Sequence, residues 1–135
     1  LGRAGVLELV PDEYAIRLPN GLLMRYDALS AEQGDKGWQY SYKTRRGRVK
    51  IYGGKVVENV VQALARIVVG EQMLHIAKRY RPVLTVHDAV ACVAPAEDAF
   101  TAQAYVEECM RKVPSWAEGL PVNCESGVGK NYGEC

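Results

Sequence analysis

The chain has 135 residues, of which 48% are hydrophobic, and its formal net charge is +1. This length allows one modest domain with a real core, and the small net charge does not identify a partner. The longest apolar-rich stretch, residues 56–77, is interrupted by polar and charged side chains, so we expect no membrane-spanning segment and no membrane partner. We see no signal-peptide pattern and expect a cytoplasmic protein.

The first part of the chain predicts strands and turns. Residues 14–18 and 22–26 flank Pro19-Asn20-Gly21, and an Asn-Gly pair supplies the positive φ angles of a tight β-hairpin turn. Residues 27–37 are polar and predict a loop. Aromatic and polar residues alternate over 38–43, which predicts an exposed strand.

The second part predicts helices around a hairpin. Apolar residues at helical spacing predict a long helix over about residues 55–79. Residues 82–86 and 89–93 predict two buried strands joined by a tight turn. A helix over about 96–113 and a last strand over 122–128 complete an α+β fold, in which helices pack on one face of an antiparallel sheet.

Asp88 lies between the two apolar runs, directly after His87. In a buried hairpin an ionised carboxylate needs a partner, because an unpaired charge is costly there. Two interpretations stay open. Asp88 caps the backbone of the turn, or it presents a carboxylate to a divalent cation such as Mg²⁺, which often takes one or two carboxylates plus substrate phosphates.

A polar stripe runs along the predicted long helix. Its members fall at i, i+3, i+4, i+7 and i+11, and they are Lys55, Glu58, Asn59, Gln62 and Arg66. Solvent exposure alone explains a stripe of this width. Its amides allow a second interpretation, because every base pair offers acceptors in the minor groove whatever its sequence.

Five cations fall within eight residues, and they are Lys43, Arg45, Arg46, Arg48 and Lys50. Such a cluster can hold nucleic-acid phosphates, or it is a solvated basic loop. The four cysteines, in contrast, form no C-x-x-C pair, and no histidine is spaced to complete a zinc site, so we expect free thiols.

Five segments of the chain, taken together, are more informative than any single motif. Residues 17–21 read RLPNG, 52–66 read YGGKVVENVVQALAR, 84–88 read LTVHD, 114–121 read PSWAEGLP and 127–133 read GVGKNYG. In this order they resemble the RLPSG hairpin, the stretch before motif C, motif C itself and the C-terminal tail of phage-type family A (DNA polymerase I-like) DNA polymerases.

The resemblance implies that residues 1–135 are one C-terminal palm segment. Residues 1–54 would be a hairpin and strand region, and 55–135 would hold the long helix, the motif C hairpin, a second helix and a final strand. The implied reaction is template-directed nucleotidyl transfer with two Mg²⁺ ions held by two aspartates. Asp88 matches the motif C aspartate, a catalytic residue and metal ligand, and His87 matches the histidine close to the primer terminus.

The resemblance also implies contacts to DNA. Gln62 matches a helix residue that touches the primer–template minor groove, and Asn59, Lys55 and Arg66 lie on the same stripe. The basic run contributes further DNA-binding candidates, which are Arg45, Arg46 and Arg48. The implied partners are primer–template DNA, a dNTP and the remaining polymerase segment with motifs A and B, in the cytoplasm of a bacterial host or phage-infected cell.

Three departures from the family pattern limit this interpretation. Ala89 replaces the motif C glutamate, and Ile67 stands where the phage-type pattern has aspartate. Motifs A and B are not found, and we expect them upstream of Leu1. One carboxylate cannot hold two metal ions, so we expect no polymerisation by this chain alone. A stand-alone nucleic-acid-binding module and a decayed polymerase remnant are the alternatives.

Overall fold

The computed structural model describes residues 5–35 and 37–135. They form three small antiparallel sheets and two α-helices, so the predicted α+β class is confirmed, but three separate sheets replace the single predicted one. The chain divides into two compact units, Leu1–Ala65 and Arg66–Cys135. Within the described residues, no helix combines the length and the apolarity needed to cross a bilayer.

The first unit contains two three-stranded sheets. Their strands are β1 (Glu8–Val10), β2 (Ala15–Arg17), β3 (Leu23–Arg25), β4 (Ser30–Gly34), β5 (Gly37–Thr44) and β6 (Gly47–Ile51). The predicted hairpin around Asn20-Gly21 is confirmed as β2–β3, and Gly21 has the expected positive φ of 82°. The loop predicted over 27–37 is wrong in part, because β4 pairs there with β5 along five residue pairs.

A small core holds the first unit together. Ile16, Tyr26 and Ile51 are buried, and half-buried apolar side chains from β5 and the first turns of helix α1 (Gly53–Ile76) pack against them. The rings of Tyr26 and Tyr42 meet edge to face at 5.2 Å between centroids. This packing attaches the first turns of α1 to strands β3, β5 and β6.

The second unit contains the end of α1, a two-stranded sheet and a second helix. Its strands are β7 (Arg81–Val86) and β8 (Ala89–Val93), and helix α2 spans Ala99–Met110 after a 3-10 turn at Ala96–Asp98. The two predicted helices and the predicted hairpin are therefore confirmed, although α1 begins two residues earlier and ends three residues earlier than predicted, and α2 is shorter at both ends. One face of α2 packs on a core in which Ile76 and Cys109 are completely buried.

The last strand, predicted over 122–128, is wrong, because the structure has no strand there. Side chains of α2 and of Arg111, which directly follows the helix, hold this segment instead of a backbone ladder. Gln103 Nε2 donates to Ser126 Oγ at 2.8 Å, and Arg111 Nε donates to Asn123 Oδ1 at 3.2 Å. The sequence pattern resembled that of a strand, but the segment is held by contacts from the side chains of Gln103 and Arg111.

A buried glutamine fixes the chain that follows α2. Gln72 Nε2 donates to the carbonyl oxygens of Met110 at 2.6 Å and Lys112 at 3.2 Å, which satisfies acceptors at the end of the helix. Trp116 Nε1 donates to Glu71 Oε1 at 2.9 Å. The PSWAEGLP segment therefore has a clear packing role on α1.

Candidate functional site

The β7–β8 hairpin presents Asp88 on the tightest turn available. Val86 pairs with Ala89, so His87 and Asp88 are the only two residues of this turn. His87 has a φ of 54°, in the left-handed region. A non-glycine residue there costs about 1 kcal/mol, so a histidine at this position is not the choice that turn stability favours.

The β7–β8 hairpin is less buried than the sequence predicted. The expectation that Asp88 needs a partner because it is buried is therefore wrong. Val83, Leu84 and Val86 are 55%, 43% and 41% exposed, and Asp88 itself is exposed. Only one side of the hairpin packs on the core of its unit, through Val90 and Cys92 on β8. Burial therefore does not force a partner on Asp88.

The Asp88 carboxylate is open to a ligand. Among the described residues it accepts no hydrogen bond and forms no ion pair, so the structure gives no support to a backbone-capping role. No group of three or more His, Cys, Asp or Glu side chains that could hold a metal occurs in the described part of the chain. Asp88 fits a cation as a single oxygen ligand, with the other ligands supplied from elsewhere.

The polar stripe on α1 is organised by an acidic residue. In the first unit, Glu58 Oε1 accepts from Lys55 Nζ at 2.7 Å and from Gln62 Nε2 at 3.3 Å. The hydrogen bond to Glu58 raises the pKa of the Lys55 ammonium group. Glu58 thus fixes the two stripe residues on either side of it, a role that the helical spacing alone did not reveal.

The stripe residues differ in how many donors they leave free. Asn59 Nδ2 donates to the Tyr26 hydroxyl at 3.2 Å, so this half-buried amide joins α1 to the core of the first unit. Gln62 is exposed and keeps one amide hydrogen and its carbonyl oxygen for a further partner. Arg66, assigned to the second unit, is exposed and has no side-chain partner among the described residues.

The basic run lies on the β5–β6 hairpin. Strands β5 and β6 pair up to Thr44 and Gly47, so Arg45 and Arg46 make a two-residue turn. Thr44 Oγ1 donates to the Gly47 carbonyl at 2.8 Å and accepts from the Arg46 backbone amide at 3.2 Å. Both arginine side chains are exposed, and neither has a hydrogen-bond or ion-pair partner in the described residues.

Arg48 has a different environment from its two neighbours. Its guanidinium donates to the Ala28 carbonyl at 3.0 Å, to the Ser41 carbonyl at 2.9 Å and to the Ser41 hydroxyl at 3.1 Å, and it also contacts the Ser30 hydroxyl. These partners lie on β4, on β5 and in the segment before β4. The donors of Arg48 are therefore used within the sheet, whereas those of Arg45 and Arg46 are not.

A second group of cations lies outside the candidate DNA-binding residues that the sequence indicated. Lys78, Arg79 and Arg81 are exposed and follow the end of α1 in the second unit. The Cζ atom of Arg79 lies 5.4 Å from the ring centroids of both Tyr80 and Tyr105. This charge cluster is visible in the sequence, because three of the four residues from 78 to 81 are cations.

Comparison with known proteins relates the chain to a polymerase. It is 31% identical, over 125 residues, to the DNA polymerase of Bacillus phage SP02, and the match covers 87% of this chain and 19% of that polymerase. The chain thus spans about a fifth of the length of the curated relative that it matches. No protein-family model matches the chain, and no solved structure matches it significantly.

Proposed function

We propose that this chain is part of a family A DNA-directed DNA polymerase, in which it forms the motif C portion of the palm. The observation that carries the proposal is the similarity to a phage DNA polymerase along 87% of the chain. The exposed carboxylate on the two-residue turn and the free donors along α1 support the assignment of individual residues.

Asp88 would hold one ligand position of a Mg²⁺ ion. When bound, such ions neutralise the triphosphate and favour ionisation of the primer 3′-hydroxyl. The short turn restricts the Asp88 backbone, so the carboxylate is presented at a fixed place on the hairpin. Ala89 adds no oxygen ligand beside it, so the second aspartate of the site has to come from outside these residues. His87 would lie close to the primer terminus.

Gln62 is the best placed residue for a minor-groove contact with the primer–template duplex. It is exposed, and only one of its two amide hydrogens is used, whereas the Asn59 amide is already bound to Tyr26. Arg45 and Arg46 would bind backbone phosphates, because their donors are free. We propose that Arg48 mainly stabilises its sheet, since its hydrogen-bond donors are already used there.

Primer extension tests the proposal. The sequence encoded upstream of Leu1 should contain motif A with the second aspartate and motif B with its lysine and tyrosine. The polypeptide at its full encoded length should extend a primed template in Mg²⁺, and the 135-residue chain alone should not. Robust synthesis by the isolated chain, or an encoded protein without motifs A and B, would contradict the proposal.

A second candidate function is nucleic-acid binding by this chain alone, which the two unpaired turn arginines favour. It predicts duplex binding with a steep salt dependence. Exchanging both turn arginines for glutamine should then weaken binding. The same change at Arg17 and Arg25, which already pair with Glu8 and Glu13, should have little effect. Absence of binding at low salt would remove this candidate.

A decayed remnant is the remaining alternative, and one of its two supporting departures has a structural reason. Ile67 is 8% exposed, so an apolar side chain is suited to that position. Ala89 is exposed, and a glutamate fits there without a packing penalty. In the full encoded protein, Ala89→Glu should leave activity present or raise it. No activity with either residue would favour the remnant.

A further inference from the structure

Five cations of the described residues are paired with a carboxylate. In the described residues, ion pairs join Arg17 to Glu8, Arg25 to Glu13, Lys55 to Glu58, Arg111 to Glu107 and Lys112 to Glu108. Lys78, Arg79 and Arg81 form none within the described chain. These three cations fall within four residues and concentrate positive charge on a short stretch of the second unit.

Arg79 rests on two aromatic rings that are themselves fixed. The rings of Tyr80 and Tyr105 meet at 61° with centroids 5.8 Å apart. The Tyr80 hydroxyl donates to Asp98 Oδ2 at 2.6 Å, and the Tyr105 hydroxyl donates to the His75 carbonyl at 2.9 Å. A guanidinium whose Cζ atom lies within about 6 Å of a ring centroid is attracted by cation–π interaction, while its N–H groups remain available to a planar oxyanion.

The end of α1 does not need these cations as caps. Cationic side chains near a helix C-terminus often bond to its last carbonyls. Here the backbone amides of Lys78 and Arg79 already donate to His75 and Ile76, at 3.3 and 3.0 Å, and the Tyr80 amide also donates to Ile76 at 2.9 Å. The side-chain donors of the three cations are therefore not used at the end of the helix.

The carboxylate that accepts a hydrogen bond from Tyr80 does not neutralise the group either. Asp98 accepts the Tyr80 hydroxyl and forms no ion pair with Arg79. That hydrogen bond is the main reason why the pKa of the Tyr80 hydroxyl is raised, so Tyr80 stays neutral and keeps its hydroxyl hydrogen. The cations thus remain available to an external anion.

We propose that Lys78, Arg79 and Arg81 form a phosphate-binding site for the nucleic-acid backbone, with Arg79 as its preorganised anchor. The inference rests on the proposed polymerase function and adds a second place of contact with DNA. A guanidinium binds phosphate through two parallel hydrogen bonds, and two flanking cations suit the repeated charges of a strand. A free triphosphate offers the same chemistry, so the test separates the two sources.

The test measures binding of a fluorescent primer–template duplex to the 135-residue chain by anisotropy, at several salt concentrations. One variant combines Lys78→Gln, Arg79→Gln and Arg81→Gln. The matched control removes three charges from cations that already have carboxylate partners, with Arg17→Gln, Arg25→Gln and Lys112→Gln. Circular dichroism verifies that both variants are folded. The single variant Arg79→Lys keeps the charge but loses the planar fork.

We expect the triple variant to bind at least about tenfold more weakly at low salt, with a salt slope reduced by roughly 2 to 3. The control should change affinity by less than about threefold, since its cations are exposed and paired. Arg79→Lys should weaken binding several-fold with a nearly unchanged slope. Millimolar inorganic phosphate or dNTP should not displace the duplex.

Equal effects of the two triple variants, no binding by the unmodified chain, or displacement of the duplex by submillimolar dNTP would each overturn this inference. The proposed function would still stand if primer extension by the full encoded protein requires Asp88. Conversely, duplex binding that depends on these three cations, in a full protein without polymerase activity, would leave the binding site valid and remove the polymerase assignment.

Discussion

The two units of the chain are stabilised in different ways. The second unit packs around Ile76 and Cys109, which are 0% exposed, whereas the most buried apolar residue among the described part of the first unit, Ala15, is 5% exposed. The first unit compensates with antiparallel ladders and with the Arg48 guanidinium, which joins β4, β5 and β6. A strand-rich region with a thin core thus uses one charged side chain to join three strands, whereas the second unit closes a completely buried core.

The cations of the two units also differ in how their side chains are held. In the first unit, Arg45 and Arg46 project from a turn and Arg48 is bound within the sheet. In the second unit, Arg79 rests on two anchored rings. A side chain that is already held in place loses less entropy when it binds, so we expect Arg79 to contribute more per phosphate contact than either turn arginine.

The largest expected effect tests the comparison of the two cores. Ile76→Ala should lower the free energy of unfolding of the second unit by about 2–5 kcal/mol, because it leaves a cavity in a closed core. Ile51→Ala in the first unit should cost less, since its surroundings are more open. Hydrogen exchange resolved by segment measures both. A larger loss of unfolding free energy for Ile51→Ala than for Ile76→Ala would contradict this comparison of the two cores.

The next effect separates structural from binding cations in the first unit. Arg48→Met should destabilise the β4–β5–β6 sheet by about 1 kcal/mol, because the Ala28 and Ser41 carbonyls lose donors. Arg46→Met is the matched control, and it should change stability by less than about 0.5 kcal/mol while weakening duplex binding. Urea denaturation and anisotropy measure the two properties. Equal stability of both variants would contradict the structural role of Arg48.

A smaller effect concerns the segment held on α2. The hydrogen bond from Ser126, and then the contact with Arg111, lower the pKa of Glu107 below its usual value of 4.5. A lowered folded-state pKa means that this carboxylate contributes stability above about pH 4.5 and loses it as pH falls through the folded pKa.

Ser126→Ala should raise the pKa of Glu107, and Glu107→Gln should remove this part of the acid dependence. The titration of the Glu107 side chain by NMR, together with unfolding measured between neutral and acidic pH, checks both. A Glu107 titration that Ser126→Ala leaves unchanged would show that the hydrogen bond is not the main cause.

The smallest expected effect concerns the turn of the candidate site. His87→Gly should stabilise the β7–β8 hairpin by about 0.5–1 kcal/mol, because glycine adopts a φ of 54° without strain. The same change should lower primer extension by the full encoded protein, if the histidine lies near the primer terminus. Denaturation and extension rates measure the two effects. Loss of stability with intact activity would contradict this account of His87.

Local chemistry made much of the fold predictable. The Asn20-Gly21 turn, both helices and the two-residue turn at Asp88 depend on neighbouring residues, and the sequence shows them. Strand β4 lacks an alternating pattern and forms because β5 pairs with it, so its sequence alone suggested a loop. The segment 122–128 shows the reverse, because a strand-like pattern has no strand partner and is bound by α2 instead.

The candidate site was predictable to a similar extent. Asp88 and the stripe on α1 follow from short motifs and helical spacing. The exposure of the hairpin depends on which face packs, and the contact between Arg48 and Ala28 joins residues 20 positions apart, so neither follows from local pattern. The contact of Arg79 with Tyr105 likewise depends on how α2 packs in its unit.

The central proposal is that Asp88 is a catalytic carboxylate of a DNA polymerase. Its most direct test compares Asp88→Asn with Asp12→Asn in the full encoded protein, since both aspartates are exposed and both changes remove one charge. We expect Asp88→Asn to lower Mg²⁺-dependent primer extension by at least about a thousandfold, a barrier increase of about 4 kcal/mol, with unchanged folding. Asp12→Asn should keep full activity. Equal activity of the two variants would contradict the account.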